Sequence, residues 1–216
     1  MHLSEKFQKE METLLGDEYQ AFKESYDRQP ENGLRLNRRK VTGEEFLTRS
    51  PFLLKKIPWI DNGYTYETGT PAKDPYYYAG LYYLQEPSAM TPANRLSPEP
   101  GDYVLDLCAA PGGKATELGA KLNGEGLLLA NDISNSRAKA LLKNLELMGI
   151  PNIYVTSETS EKLAKILPEF FDKILVDAPC SGEGMFRKEP RMMADWEQQG
   201  PEYYSKLQRK IILDAA

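Results

Sequence analysis

The sequence predicts an α/β protein whose second half is a parallel, doubly wound sheet, preceded by a smaller α+β extension. Three observations predict it. After Pro98-Glu-Pro-Gly101, four short apolar runs alternate with helical patterns, which is the spacing of strand–helix–strand units. A glycine-bearing loop, Cys108-Ala-Ala-Pro-Gly-Gly-Lys114, separates the first run from the first helix, where such sheets place their ligands. Residues 1–97 lack that alternation and carry proline, glycine and tyrosine between short periodic stretches. The expected division is therefore an N-terminal extension, 1–97, and a sheet domain, 98–216.

Phe7, Met11, Leu14 and Leu15 recur at three- and four-residue steps, and Glu18, Tyr19 and Phe22 begin a second short helix within residues 1–28. Pro30-Glu-Asn-Gly33 breaks the pattern, and Gly33 to Asn37 alternates like a strand. Thr42-Gly-Glu-Glu45 reads as an N-cap with its capping-box glutamate, opening a helix to about Arg49. Between Pro51 and Tyr83, tyrosines crowd at 64, 66, 76, 77, 78, 82 and 83. Such rings stack on bases or fill half-buried strands and loops.

In the sheet domain, Asp102–Leu107 is the first strand, and the helix after its loop runs to about Leu122. Gly126–Ala130 is the second strand, ended by Asn131-Asp132, and Ser136–Met148 is an amphipathic helix. Asn152–Thr156 is the third strand, Glu161–Leu167 a short helix, and Asp172–Val176 the fourth strand, running into Asp177-Ala-Pro-Cys180. A last helix starts near Pro201 and is still periodic at Leu213. A helix left open after four strands leaves one side of the sheet unfinished, so the expectation is the front portion of a longer protein.

Composition narrows the class. Apolar residues make up 41% and charged ones 27%, which is ordinary globular usage. Charges run through the apolar positions of the N-terminus, so it is neither signal peptide nor membrane span. Two cysteines and one histidine, His2, supply no disulfide framework and no metal cluster, and a reduced cytoplasmic setting fits. The net charge of −5 argues against winning nucleic acid by bulk electrostatics but leaves room for a local patch. Arg35-Leu-Asn-Arg-Arg-Lys40 and Lys55-Lys56 are the densest basic stretches, as an RNA patch or as a solvated face.

Three groups converge beyond the carboxyl ends of the predicted strands: the 108–114 loop, Asp132 and Asp177. Gly112 and Gly113 let backbone approach a ligand, and the helix start behind them favours an anion. Asp132 follows the glycines by about 20 residues, where a carboxylate takes the two hydroxyls of an adenosine ribose. A dinucleotide loop needs Gly-x-Gly-x-x-Gly. This loop lacks that spacing and carries a proline, and its compact form suits the methionine carboxylate of S-adenosylmethionine better than a nicotinamide cofactor.

Three segments carry a resemblance. DLCAAPGGKATEL, ANDIS and DAPCSGEGMFRKEP together resemble the RNA cytosine-C5 methyltransferases of the NOL/NOP/Sun family. Tyr82-Tyr-Leu-Gln-Glu-Pro-Ser-Ala-Met90 is similar to that family's motif ahead of the cofactor domain. The GEGMFRK continuation is similar to the bacterial RsmF-type branch, which methylates 16S ribosomal RNA. The resemblance implies a class I Rossmann-like methyltransferase fold binding S-adenosylmethionine. Cys108, Ala109, Ala110, Pro111, Gly112, Gly113 and Lys114 would line the methionine end, Asp132 the ribose, and Asp177 the region between sulfonium and target base. The family's adenine-side aspartate falls on Thr159, with Glu158 or a backbone amide as substitutes.

Carbon 5 of cytosine is a poor nucleophile, so a thiolate adds at carbon 6 to generate an enamine that takes the methyl group; proton loss and thiol elimination follow. Asp177 is placed to assist at N3. In the family the attacking thiol belongs to a Thr-Cys motif on a later strand, expected beyond residue 216, and the Pro-Cys cysteine is associated with product release. Cys180 is therefore expected as the release cysteine, with nucleophile or packed thiol as its other readings, and Cys108 as a small loop residue. Arg187 and Lys188 would hold RNA phosphate or end a loop, and Trp196 would pack. The expected partner is RNA, 16S rRNA or the small ribosomal subunit, with tRNA also compatible and no membrane or metal involved. A non-catalytic RNA-binding fragment is the rival.

Overall fold

The computed structural model describes residues 3–189 and 191–216, so His2 lies outside the described residues. The first part of the chain forms α1 (Glu5–Leu15), α2 (Tyr19–Ser25), β1 (Asn32–Leu36), α3 (Gly43–Arg49), β2 (Leu54–Lys56), β3 (Gly63–Tyr66), α4 (Pro75–Tyr78), β4 (Tyr82–Leu84) and α5 (Thr91–Leu96). There follow β5 (Tyr103–Asp106), α6 (Ala115–Leu122), β6 (Leu127–Asn131), α7 (Asn135–Met148), β7 (Ile153–Thr156), α8 (Ser160–Ile166), β8 (Lys173–Leu175) and α9 (Arg191–Ala215). These fall into two compact units, one of Met1–Pro30 with Ala178–Leu213, the other of Glu31–Asp177 with Asp214–Ala216.

The first unit is built around Phe7. The Ser4 hydroxyl accepts the Phe7 amide and caps α1. The fully buried Phe7 ring meets Phe186 and Trp196 edge-on, with centroids 5.1 and 5.2 Å away, the favoured aromatic geometry. Trp196 is therefore a packing residue; its indole N–H donates to Glu183 Oε1 at 3.0 Å, which also accepts from Ser181. The last helix begins ahead of Pro201 and is broken by Gly200, whose φ of 68° interrupts α9. Arg187 donates to the carbonyls of Ser25 and Arg28, each at 3.1 Å. It closes the end of α2 rather than standing free for phosphate.

The second unit holds two sheets. The antiparallel one has the order β2-β3-β1-β4 and buries Leu34, Leu36, Phe46, Tyr64 and Tyr82. Its three- and four-residue strands β2, β3 and β4 went unseen in the 51–83 stretch because so few residues give no readable period. Tyr64 and Tyr82 belong to its core, while Tyr78 is exposed. The helix α3 carries its capping box, Thr42 accepting the Glu45 amide and Glu45 accepting the Thr42 amide.

The second sheet is parallel, in the order β7-β6-β5-β8, the doubly wound α/β class the sequence predicts. From β5 the chain winds to β6 and β7 on one side, then crosses to β8 on the other. The strand order thus reverses between β5 and β8, and the loops after these two strands flank the crevice where such sheets bind ligands. Val104, Leu128, Ala130, Leu118, Leu141 and Leu145 fill the core beneath.

The basic run 35–40 is largely committed to the fold. Arg35 and Asn37 are buried. Asn37 donates to the Gly80 and Met148 carbonyls, and Lys40 donates to those of Ala79 and Leu147, both at 2.8 Å. Together they satisfy the open C-terminal carbonyls of α7.

Candidate cofactor site

The loop 108–114 leaves β5 and enters α6. The Ala109 amide donates to the Asn131 carbonyl at 2.7 Å, fixing the loop to the end of β6, and the Ala110–Pro111 peptide is cis. Gly112 has φ of 116°, a conformation that side chains rarely adopt. A Cβ at Gly113 would lie 2.9 Å from the Gln85 amide nitrogen. The two glycines thus satisfy the turn and the packing against Gln85, besides baring the backbone. Among the described residues the N–H groups of Gly112, Gly113 and Lys114 donate to no acceptor. They are open donors at the start of a helix, where an anion is favoured.

Beneath the loop lies a residue the sequence reading passed over. Asp106, the last residue of β5, is 1% exposed, and among the described residues neither carboxylate oxygen has a hydrogen-bond partner. Burial pushes its pKa up to about 7; Lys114 pulls it down and Asp177 pushes it up again. The Cys108 amide also favours the charged form, but from outside strict hydrogen-bond geometry. The signal was present in Asp-Leu-Cys-Ala-Ala, where a carboxylate ends an otherwise apolar strand.

Asp132 follows β6 and is 2% exposed. Its Oδ1 accepts the Ser134 amide at 3.0 Å, and its Oδ2 lies 3.1 Å from Arg137. Arg137 donates as well to the Ala110 carbonyl at 2.8 Å, so one guanidinium ties the carboxylate to the loop. Arg137 was also missed; its position on the first turn of α7 after Asp132 was the available clue. Across the crevice, Lys114 Nζ meets Asp177 Oδ2 at 2.6 Å, joining the loop after β5 to the residue after β8.

The structure thus brings together Cys108 to Lys114, Asp132 and Asp177 in the second unit. Cys180 belongs to the first unit and its side chain is exposed. Thr159 accepts the Lys162 amide and N-caps α8, so its hydroxyl is occupied by the fold. The Glu158 carboxylate pairs with Lys162, and its amide donates to Asn131. Among the described residues no group of three or more His, Cys, Asp or Glu could hold a metal ion, and no helix is long and apolar enough to cross a membrane.

The two cysteines differ in exposure, Cys180 standing exposed and Cys108 half-buried. Burial, then the carboxylates of Asp106, Asp132 and Asp177, push the Cys108 thiol up to about 11, with Arg137 opposing them. Because the thiolate is the reactive form, Cys108 should alkylate roughly 100-fold more slowly at pH 8 than a thiol of ordinary pKa. Iodoacetamide at pH 8 is expected to label Cys180 and spare Cys108, whose rate should climb about tenfold per pH unit towards pH 11. Peptide mass spectrometry over a pH series measures both, and equal labelling at pH 8 would contradict the assignment.

The profile of the family described as 16S rRNA methyltransferase RsmB/F matches residues 93–216, more than half of the chain. The chain belongs to this family. A second profile, for the N-terminal domain of 16S rRNA methyltransferase RsmF, matches residues 3–87. One relative in the RsmB/F family, ribosomal RNA small subunit methyltransferase F of Pectobacterium atrosepticum, is 38% identical, covering 84% of this chain and 40% of its own length. Its counterpart in Erwinia tasmaniensis is 36% identical, covering 97% and 46%. A solved methyltransferase homolog protein from Pyrococcus horikoshii matches with a TM-score of 0.83 at 28% identity, over 98% of this chain and 68% of its own. The chain spans less than half the length of the two bacterial relatives.

Proposed function

We propose that residues 98–216 belong to the cofactor-binding domain of an S-adenosylmethionine-dependent methyltransferase acting on carbon 5 of a cytosine in 16S ribosomal RNA, and that residues 1–97 are its N-terminal extension. The observation that carries the cofactor assignment is the donor and acceptor set around the switch point. Three open amides at Gly112, Gly113 and Lys114 suit the methionine carboxylate, and the buried, unpartnered Asp106 suits the ammonium group of the same moiety. Asp132 retains a lone pair on each oxygen for a ribose diol. These residues fit the cofactor, which supplies an electrophilic methyl group. They do not fit a dinucleotide, whose pyrophosphate needs the Gly-x-Gly-x-x-Gly spacing.

In this reading Asp177, held by Lys114, lies on the base side, where it is placed to assist at N3 of the ring as a thiol adds at carbon 6. Cys108, held as a thiol, is not the attacking group. Cys180 is assigned to product release, as the base that takes the carbon 5 proton or assists thiol departure. The attacking thiol is assigned to neither cysteine of residues 1–216, but to the part of the relatives' length that these residues do not span. The family membership and the relatives' names support ribosomal RNA as the substrate, and the choice of cytosine carbon 5 rests on the motif resemblance.

Equilibrium dialysis of the protein with S-adenosylmethionine and with NAD separates the cofactor classes, with binding expected for the first alone. Methyl transfer to small-subunit RNA by the complete gene product, followed by nucleoside analysis, is expected to give 5-methylcytosine. A methylated base of another kind, or binding of NAD in preference, overturns the reading.

A further inference from the structure

Arg35 and Glu117 form a buried ion pair outside the cofactor crevice, 1% and 2% exposed. Arg35 Nε lies 2.9 Å from Glu117 Oε2, with its N–H angled off the line of a hydrogen bond. Glu117 is held in turn by Asn62 at 3.1 Å. Arg35 comes from β1 of the antiparallel sheet, and Glu117 from α6, directly behind the glycine loop. The other nitrogens of the guanidinium point at the loop itself. Nη1 donates to the Gly113 carbonyl and to Gln85, and Nη2 donates to Thr116 Oγ1 at 2.7 Å. Thr116 Oγ1 passes the bond on to the Gly112 carbonyl at 2.8 Å, and the Thr116 amide donates to that same carbonyl at 2.9 Å.

The consequence lies in peptide geometry. In a trans peptide unit the C=O and the following N–H point opposite ways. Fixing the Gly112 and Gly113 carbonyls on the Arg35 side aims the N–H groups of Gly113 and Lys114 away from it. Those are two of the open amides. Two adjacent glycine carbonyls would otherwise be free to rotate, because glycine populates both signs of φ. Resting on the cofactor assignment above, we propose that Arg35 is a positioning residue: through Gly113 and Thr116 the antiparallel sheet sets the direction of the amides that bind the methionine carboxylate.

Removing Arg35 alone would leave the buried Glu117 with only Asn62 and the half-exposed Arg38, 3.7 Å from its Oε1, and threaten the fold, whereas replacing both partners by apolar side chains of similar length is tolerated far better. The test is therefore the double variant Arg35→Met/Glu117→Met, with Arg35→Lys as the conservative companion. Amide hydrogen exchange of Thr116, whose N–H is held by the Gly112 carbonyl, is expected to speed up at least tenfold in the ligand-free double variant and less in Arg35→Lys. The amides of β6 should stay within about twofold of the parent. The dissociation constant for S-adenosylmethionine is expected to rise at least tenfold, with partial rescue in Arg35→Lys. Unchanged loop exchange in a folded double variant overturns the proposal, as does unchanged affinity. Failure of the parent protein to bind S-adenosylmethionine overturns the cofactor reading instead, and the exchange rates then still decide whether Arg35 holds the loop.

Discussion

Asp106→Asn is expected to make the protein more stable at pH 8 and poorer at holding its cofactor. The stability part follows from linkage. Asp106 titrates near 7 in the fold, against 3.8 for an unperturbed carboxylate. Its folded pKa is thus raised, and the folded state is penalised wherever the unfolded chain is ionised and the fold resists ionisation. The penalty is fully present above pH 7, shrinks as pH falls through 7, and vanishes below about pH 3.8. At pH 8 the difference corresponds to about 4 kcal/mol. An asparagine removes it but buries an amide without an acceptor, which costs about 1–3 kcal/mol. The expected net gain is about 1–3 kcal/mol at pH 8 and none at pH 4. Urea unfolding at the two pH values measures it, and a variant less stable at pH 8 would show that Asp106 is stabilised by a partner in solution. The functional part follows from the lost charge: one charge-assisted contact to an ammonium group is worth about 1.5–3 kcal/mol, so affinity for S-adenosylmethionine should fall roughly 10- to 100-fold.

How much of this was legible in the sequence depends on the range over which each signal acts. The parallel sheet was readable because its short strands are apolar runs alternating with helical periods, and Gly112, Asp132 and Asp177 were readable because a loop or strand end announces them. Arg35 was not. It stands in a basic run that reads as solvent-facing, and its partners Gly113, Thr116 and Glu117 lie about 80 residues away in sequence, brought to it only by the packing of two sheets. The same holds for Arg187, whose acceptors Ser25 and Arg28 belong to the other end of the chain. Phe7 and Trp196 likewise show a helical period but not each other. Local periodicity identifies elements; it does not say which distant side chain satisfies a buried carbonyl or carboxylate. The pull of Arg137 on Asp132 sat between these cases, since both residues lie in one short segment and only the turn geometry was missing.

Asp132 carries the largest expected effect on binding. A carboxylate that accepts both hydroxyls of a ribose makes two charge-assisted hydrogen bonds, worth about 3–6 kcal/mol together. Asp132→Ala is therefore expected to weaken S-adenosylmethionine binding by at least about 100-fold. The substitution also releases the Ser134 amide and frees Arg137, so some stability is lost with it, about 1 kcal/mol for the turn that opens α7. Asp132→Asn separates the two consequences. Its side-chain oxygen can still accept the Ser134 amide and keep the turn, while its second position becomes a donor facing Arg137 and cannot take a hydroxyl proton. A melting temperature near that of the parent, with affinity still down by tenfold or more, is the expected pattern by calorimetry. If Asp132→Asn binds S-adenosylmethionine as the parent does, the ribose is held elsewhere and Asp132 serves only to tie Arg137 to the loop at Ala110.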